Sequence, residues 1–357
     1  MLAKILSDYK YFDIEVEILN ELKKKNKIDN IVNLIDCGLG DIILRHSSIK
    51  KPYLILEYAP KGDLSSYIKI PERGFKEEHA KLIFNKILKG VQGIHNSGIC
   101  HRDLKTQNIL LDNQYNPKIC DFGFATYISK NLKDWVGTAQ YAAPEIYKQR
   151  PYDGVKIDIF SLGVILFNLV TGKYGFEEAK VKNKLYRLIM LNEYDTFWDN
   201  NTDVKNVSKE FKRLFEKMVS FKSLERPSIK EILDSEWMKE MKNIEKDEKK
   251  LKDLELEVYK DFLERENIIK AATQKEKKIE GNNDNNNIGG NNKSSGNDEI
   301  KYFSDDLFPQ KIKPGKYMEH FFKITGNLNP VKFKNSLANK IKFKYKKICT
   351  IEEKKIN

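Results

Sequence analysis

The sequence runs Cys100-His101-Arg102-Asp103-Leu104-Lys105-Thr106-Gln107-Asn108, then reaches Asp121-Phe122-Gly123 and, further on, Ala143-Pro144-Glu145. A lone Asp-Phe-Gly would mean little; three motifs in this order are far more specific. Upstream, Tyr53-Leu54-Ile55-Leu56-Glu57 has the apolar, branched character of a strand, and residues Lys76 to Ser97 carry the apolar period of a long helix. Downstream, the longest apolar run, Ile159 to Val170, is interrupted by Ser161 and Asn168 and is too short to cross a bilayer.

The wider composition narrows the class. At 357 residues the chain exceeds what one hydrophobic core usually spans, so about two globular units are expected. Four cysteines (Cys37, Cys100, Cys120, Cys349) lie far apart with no C-x-x-C pair, which excludes a small disulfide scaffold and a zinc ribbon. They fit a reducing compartment, the cytoplasm or the nucleus. No basic-then-apolar signal peptide follows Met1. The net charge of +12 is uneven: from Lys301 onward 14 Lys face 5 Asp and Glu, whereas Asn243 to Ile300 holds 11 basic and 14 acidic residues. Only eight of the 64 basic residues are Arg, and Asn and Ile are abundant. Part of the charge therefore reflects biased composition, and no nucleic-acid partner is expected.

Taken together, the three motifs resemble those of the eukaryotic protein kinase family, over residues 1 to about 242. The resemblance implies an α+β, bilobal protein-kinase fold, with a truncated, small, β-rich N-lobe, a large helical C-lobe and a C-terminal extension. It implies ATP and Mg²⁺ as cofactors and protein Ser/Thr hydroxyls as acceptors. Asp103 matches the carboxylate that accepts or orients the acceptor proton; Asn108 and Asp121 match the metal ligands, an amide oxygen and a carboxylate being hard donors that Mg²⁺ prefers. Lys105 matches the lysine that contacts the γ-phosphate in Ser/Thr kinases. Asp158 matches the anchor of the catalytic-loop backbone, and Glu145 and Arg226 a buried ion pair. His101, Phe122, Leu19 and Leu34 match the apolar stack that joins the lobes. In the hinge, Leu56 falls at the gatekeeper position, the backbone of Glu57 and Ala59 would hydrogen-bond adenine, Leu110 would floor the ring, and Asp63 would contact the ribose.

The match thins at the N-terminus. Met1-Leu2-Ala3-Lys4 resembles the end of the strand bearing the ATP-phosphate lysine, with Glu15 its helix partner, although only 11 residues separate them. The first glycine is Gly38, so the first two strands and the Gly-rich loop of the family are absent from this sequence. Loss of that lid predicts poor stability and little activity, since misplacing the phosphates by about 1 Å costs on the order of 100-fold in rate. Two functions stay open on the sequence: a Ser/Thr protein kinase nearest the calcium/calmodulin- and energy-responsive group, and a kinase-like scaffold that transfers little phosphate.

For regulation, the resemblance implies that Arg102 pairs with an anion on the activation segment. Gly137-Thr138 marks the substrate-binding loop, and Asp134, three residues before Gly137, stands where many relatives carry a phosphothreonine; Thr126 and Ser129 lie too early. For substrates, Gln107 and Asn168 stand where basic-directed kinases have Glu, which argues against Arg two before the acceptor. Asp63 would attract Arg three before it. Trp135, Ala139 and Ala142 would line a pocket for a bulky apolar residue after it.

Beyond the kinase-like region, residues 243–280 read as a charged amphipathic helix, with Leu251, Leu254, Val258, Phe262 and Ile269 on one stripe that would dock on the catalytic domain. Its acidity argues against a calmodulin target. Residues 281–299 read as a disordered Asn/Gly/Ser linker. Residues 300–357 read as a basic module: Phe321 to Gly326 as a strand, then a helix opened by Asn329-Pro330. They distantly resemble an incomplete kinase-associated domain, so acidic lipid contact and a merely solvated basic face both stay open.

Overall fold

A computed structural model describes residues 1–6, 9–24, 28–43, 48–71, 73–148, 150–201, 207–284 and 320–323. The chain begins with β1 (Leu2–Ile5), α1 (Tyr9–Lys24), β2 (Leu34–Ile43) and β3 (Ser48–Leu56). β3 pairs antiparallel with both β1 and β2, setting Lys4 opposite Leu54. α1 lies against this sheet with Ile18, Leu19 and Leu22 buried, four-residue spacing that puts one stripe inward. The remainder is mostly helical, which gives the α+β class expected.

α2 (Leu64–Lys69) and α3 (Glu77–Asn96) follow, the latter bounded by Lys76 and Ser97, the ends of the apolar-periodic segment. Short ladders come next: β4 (Ile99–Cys100) with β7 (Thr126–Tyr127), and β5 (Ile109–Leu111) with β6 (Pro117–Ile119). They carry the catalytic-loop sequence out between them. The Ile31–Ile119 bridge, with Val32 donating to Ile119 O, laces the β5–β6 ladder to the segment that precedes β2, and Glu57 N donates to Asn33 O of that segment.

α4 (Gly154–Thr171) is apolar over most of its surface because most of it is buried. By length and composition it would cross a membrane, but 78% of it is inside the protein. The run read as too short to span is thus part of a longer core helix. Gly172 closes it at φ 75°, where a Cβ would strike the Arg73 backbone at 2.6 Å. α5 (Lys184–Met190), α6 (Tyr194–Asn200), α7 (Lys209–Met218) and α8 (Ile229–Leu233) complete the helical body. Ser208 and Ser228 cap α7 and α8, the second through a reciprocal bond with Glu231.

The segment expected as one helix over 243–280 is two, α9 (Lys239–Lys246) and α10 (Glu248–Asp284). Asp247 separates them: its backbone is extended, and its carboxylate accepts the Lys250 amide, the geometry of an N-cap. α10 continues four residues into the stretch read as linker; residues 285–299 lie outside the described residues. Of the C-terminal module, β8 (His320–Lys323) pairs antiparallel with β1, opposing Lys4 with Phe321. The rest of the strand expected to run to Gly326 lies outside the described residues. The helix expected after Pro330 lies outside the described residues.

Candidate active site

Lys4 in β1 is fully buried and its ammonium meets Glu15 Oε2 at 2.8 Å and Asp121 Oδ1 at 3.0 Å. Glu15, on α1, also accepts the Phe122 amide at 3.3 Å. One cation therefore joins two carboxylates from distant parts of the chain, and the helix is tied to the Asp-Phe-Gly backbone. Burial pushes the Glu15 carboxyl upward, against the pull of Lys4. Burial works the same way on Asp121, but the Lys4 charge and hydrogen bond, helped by Lys105 and His101, outweigh it and hold that carboxyl below its ordinary value. Asp121 stays anionic.

The catalytic-loop sequence is held from below by Asp158 of α4. Its carboxylate accepts the His101 and Arg102 amides, each at 2.8 Å, and His95 Nε2 lies 2.8 Å away. The loop needs such a hold because Arg102 has φ 66°, a left-handed conformation costly for a side-chain-bearing residue; Asp121 shares that value. On this frame Asp103 accepts Lys105 Nζ at 2.7 Å, Thr138 Oγ1 at 2.8 Å and Asn108 Nδ2 at 3.1 Å. Lys105 also donates to Thr138 at 2.9 Å. With its amide nitrogen committed to Asp103, Asn108 turns its amide oxygen away from that carboxylate. An amide oxygen and the Asp121 carboxylate make a hard oxygen donor pair, which fits Mg²⁺ completed by phosphate and water.

His101 Nε2 is bonded to Cys120 O at 3.0 Å, and its ring lies 5.0 Å from that of Phe122. His101, Phe122, Leu19 and Leu34 are all buried. Between the sheet and α2, Lys61 N donates to Leu111 O and Leu111 N to Gly62 O, so the hinge is stitched to β5, which carries half-buried Leu110. Ala59 is buried, and the Glu57 side chain turns to Lys118 and Asn33. Asp63 is 6% exposed and accepts from the Ser66 amide and hydroxyl, capping α2. Burial raises its carboxyl, which those bonds oppose. It is thus engaged within the fold, a role the sequence reading did not assign.

Arg102 extends toward the activation segment: Nε donates to Phe124 O at 2.7 Å, and NH1 reaches Tyr152 Oη at 3.3 Å and Asp134 Oδ2 at 3.4 Å. Gly137 holds φ 95°, and a Cβ there would press on Arg102 O at 2.8 Å. Glu145 and Arg226 form a bidentate pair at 2.6 and 2.7 Å. Trp135 and Ala139 are exposed, whereas Ala142 is buried above a small cavity lined by Val136, Tyr141, Ile146 and Ile157. Gln107 is exposed; Asn168 is 3% exposed and donates to Lys173 O. Sequence reading missed His95, Tyr152 and Glu77, which accepts from Ser208 and Trp237; no local motif marks them.

The sequence profile of the protein kinase domain matches residues 3–238. The chain belongs to the protein kinase domain family. It is 34% identical to the serine/threonine-protein kinase SRK2G of Arabidopsis thaliana over 235 residues, 60% of this chain and 64% of that protein. It is 34% identical to sperm motility kinase 2B of Mus musculus over 194 residues, 54% of this chain and 38% of that protein. Sperm motility kinase 3A of the same animal is 36% identical over the same length. The match to these kinases thus spans between about a third and two thirds of their length. This kinase domain covers β1 to β3, the catalytic loop and the helices through α8.

Proposed function

We propose that the protein is a Ser/Thr protein kinase that transfers the γ-phosphate of ATP to Ser and Thr hydroxyls of proteins. The observation that carries this is the arrangement around Asp103, with Lys105 at 2.7 Å and Asn108 at 3.1 Å on the same carboxylate. Asp103 accepts or orients the proton of the incoming hydroxyl. Lys105, beside it, neutralises charge on the transferred group, and Thr138 closes the network from the substrate-binding loop. Asn108 and Asp121 would hold Mg²⁺, which would supply positive charge to offset that of the phosphates. Lys4, fixed by Glu15, positions the phosphates; the Glu57 and Ala59 backbone and Leu110 receive adenine, with Asp63 near the ribose.

Charged groups are preorganised here at the expense of burial, the pattern of a site that stabilises developing charge. The widely separated cysteines support a reducing compartment, the cytoplasm or nucleus, as its location. The test is calorimetric titration of the purified protein with ATP, with and without Mg²⁺. Binding that Mg²⁺ tightens, and that Asp121→Ala loses, is expected. Absence of nucleotide binding under both conditions would refute the reading.

A further inference from the structure

The kinase-domain match ends at residue 238, yet α10, which begins at Glu248, is packed into the fold. Leu254, Val258 and Phe262 are buried on one side of it. The Phe262 ring stacks on Tyr115 at 4.9 Å, the planes 3° apart, and meets Tyr67 of α2 edge-on at 5.3 Å. Apolar cover alone would need no more than these contacts. Two polar residues that follow do something further.

Arg265 is 2% exposed and donates to three carbonyls, Tyr67 O and Arg73 O at 2.9 Å and Gly74 O at 2.7 Å, with Asp261 as counter-ion at 2.8 Å. A short helix such as α2 leaves carbonyls at its end unpaired, and the five-donor guanidinium takes Tyr67 O there together with two carbonyls of the segment that leads to α3. Burying that charge is costly unless every donor finds such a partner. Glu266, next in sequence, takes Lys61 Nζ at 2.9 Å and the Tyr115 hydroxyl. Lys61 belongs to the hinge; its carbonyl accepts the Tyr67 hydroxyl at 3.0 Å and its ammonium sits 4.8 Å over the Tyr115 ring. Tyr115 lies in the turn between β5 and β6. Two consecutive residues of α10 therefore hold the hinge, α2 and the β5–β6 turn together.

We propose that α10 is a brace of the nucleotide cleft, in which Glu266 and Arg265 are positioning residues that set the hinge at Lys61 and the adjoining α2 for adenine. The inference rests on the kinase reading for the identity of the ligand. Its physical basis is that, on that reading, adenine is recognised by backbone groups of the short hinge segment that includes Lys61. Whatever fixes Lys61 reduces the ordering that the nucleotide must otherwise impose.

The full 357-residue protein carrying Glu266→Ala is compared with the wild type and with Glu266→Gln, which keeps the shape and some of the hydrogen bonding. Amide hydrogen exchange over residues 59–63 and 110–116 is read first, without nucleotide. Calorimetric titration with Mg²⁺ and ATP and thermal unfolding follow. Faster exchange in both segments is expected in Glu266→Ala, with the dissociation constant for ATP raised about three- to ten-fold and partly restored in Glu266→Gln. Exchange unchanged at the hinge overturns the brace. Faster exchange with an unchanged dissociation constant overturns its link to the nucleotide and leaves α10 a stability element. Wild-type protein that binds no ATP overturns the kinase reading instead, and the exchange comparison still decides whether Glu266 holds the hinge.

Discussion

Lys4 and Glu15, 11 residues apart, meet at 2.8 Å with neither side chain more than 1% exposed. A buried pair of this kind is weak evidence for stability but strong evidence of constraint, because each partner leaves an uncompensated charge if the other is removed. Lys4 additionally holds Asp121 at 3.0 Å, so the pair sets the position of a proposed metal ligand. Lys4→Met should reduce phosphotransfer at least about 100-fold and destabilise the protein by about 3 kcal/mol. Steady-state kinetics and denaturant unfolding check both; a variant with normal turnover would remove Lys4 from the site.

Asp134 lies 3.4 Å from Arg102 and is 73% exposed, so their attraction is worth no more than about 1 kcal/mol. A carboxylate carries less charge than phosphate and fewer acceptor oxygens, but it is permanent. We expect partial activity in phosphatase-treated protein and a several-fold loss in Asp134→Ala. If the phosphatase-treated protein is inert until Thr126, Ser129 or Thr138 is phosphorylated, Asp134 is not the anion.

The Glu145–Arg226 pair is the tie between the activation segment and the helices below it. Arg226 is 1% exposed and also donates to Ser220 O and Lys156 O. Arg226→Ala strips four hydrogen bonds at once and should cost about 3–5 kcal/mol. A thermal midpoint within about 2 °C of wild type would contradict this.

On specificity, Asn168 is buried and already bonded to Lys173, and exposed Gln107 is uncharged, so neither offers a carboxylate to a substrate Arg. An oriented peptide array should show no requirement for Arg two residues before the acceptor. Asp63, whose oxygens both serve Ser66, should give at most a weak preference three before it. A strict basic requirement at the nearer position would overturn the first statement.

Glu266 supplies a pH dependence with a definite sign. Burial alone would raise its carboxyl, but bonds from Lys270, Tyr115 and Lys61 bring it from 4.5 down to about 2. A group lowered in the folded state stabilises above its unfolded value and loses that contribution as pH falls through the folded one. The difference in thermal midpoint between wild type and Glu266→Gln should be constant above pH 4.5 and shrink below it. A difference that grows on acidification would show the sign to be wrong.

Much of this was legible because catalytic chemistry compresses into short motifs. His101 to Asn108 is one short segment, so resemblance to a single motif was enough to bring Asp103, Lys105 and Asn108 together. Lys4 and Glu15 were harder, since their partnership depends on a strand and a helix meeting across a short connection. Arg265 and Glu266 were invisible: their partners lie 191 to 205 residues away in Gly74, Arg73, Tyr67 and Lys61, and on a charged helix they read as solvated residues. The helix break at Asp247 was missed for a different reason, because an N-cap Asp inside a charged run does not disturb the apolar period.

The central claim is phosphoryl transfer directed by Asp103, and the direct measurement is Mg²⁺-dependent transfer from γ-labelled ATP to protein substrate, followed by phosphoamino-acid analysis. The account predicts label on Ser or Thr only, at whatever rate the wild type achieves, and a fall of at least about 100-fold in Asp103→Asn. Wild-type protein that transfers no label, or an Asp103→Asn variant that transfers it undiminished, would contradict it.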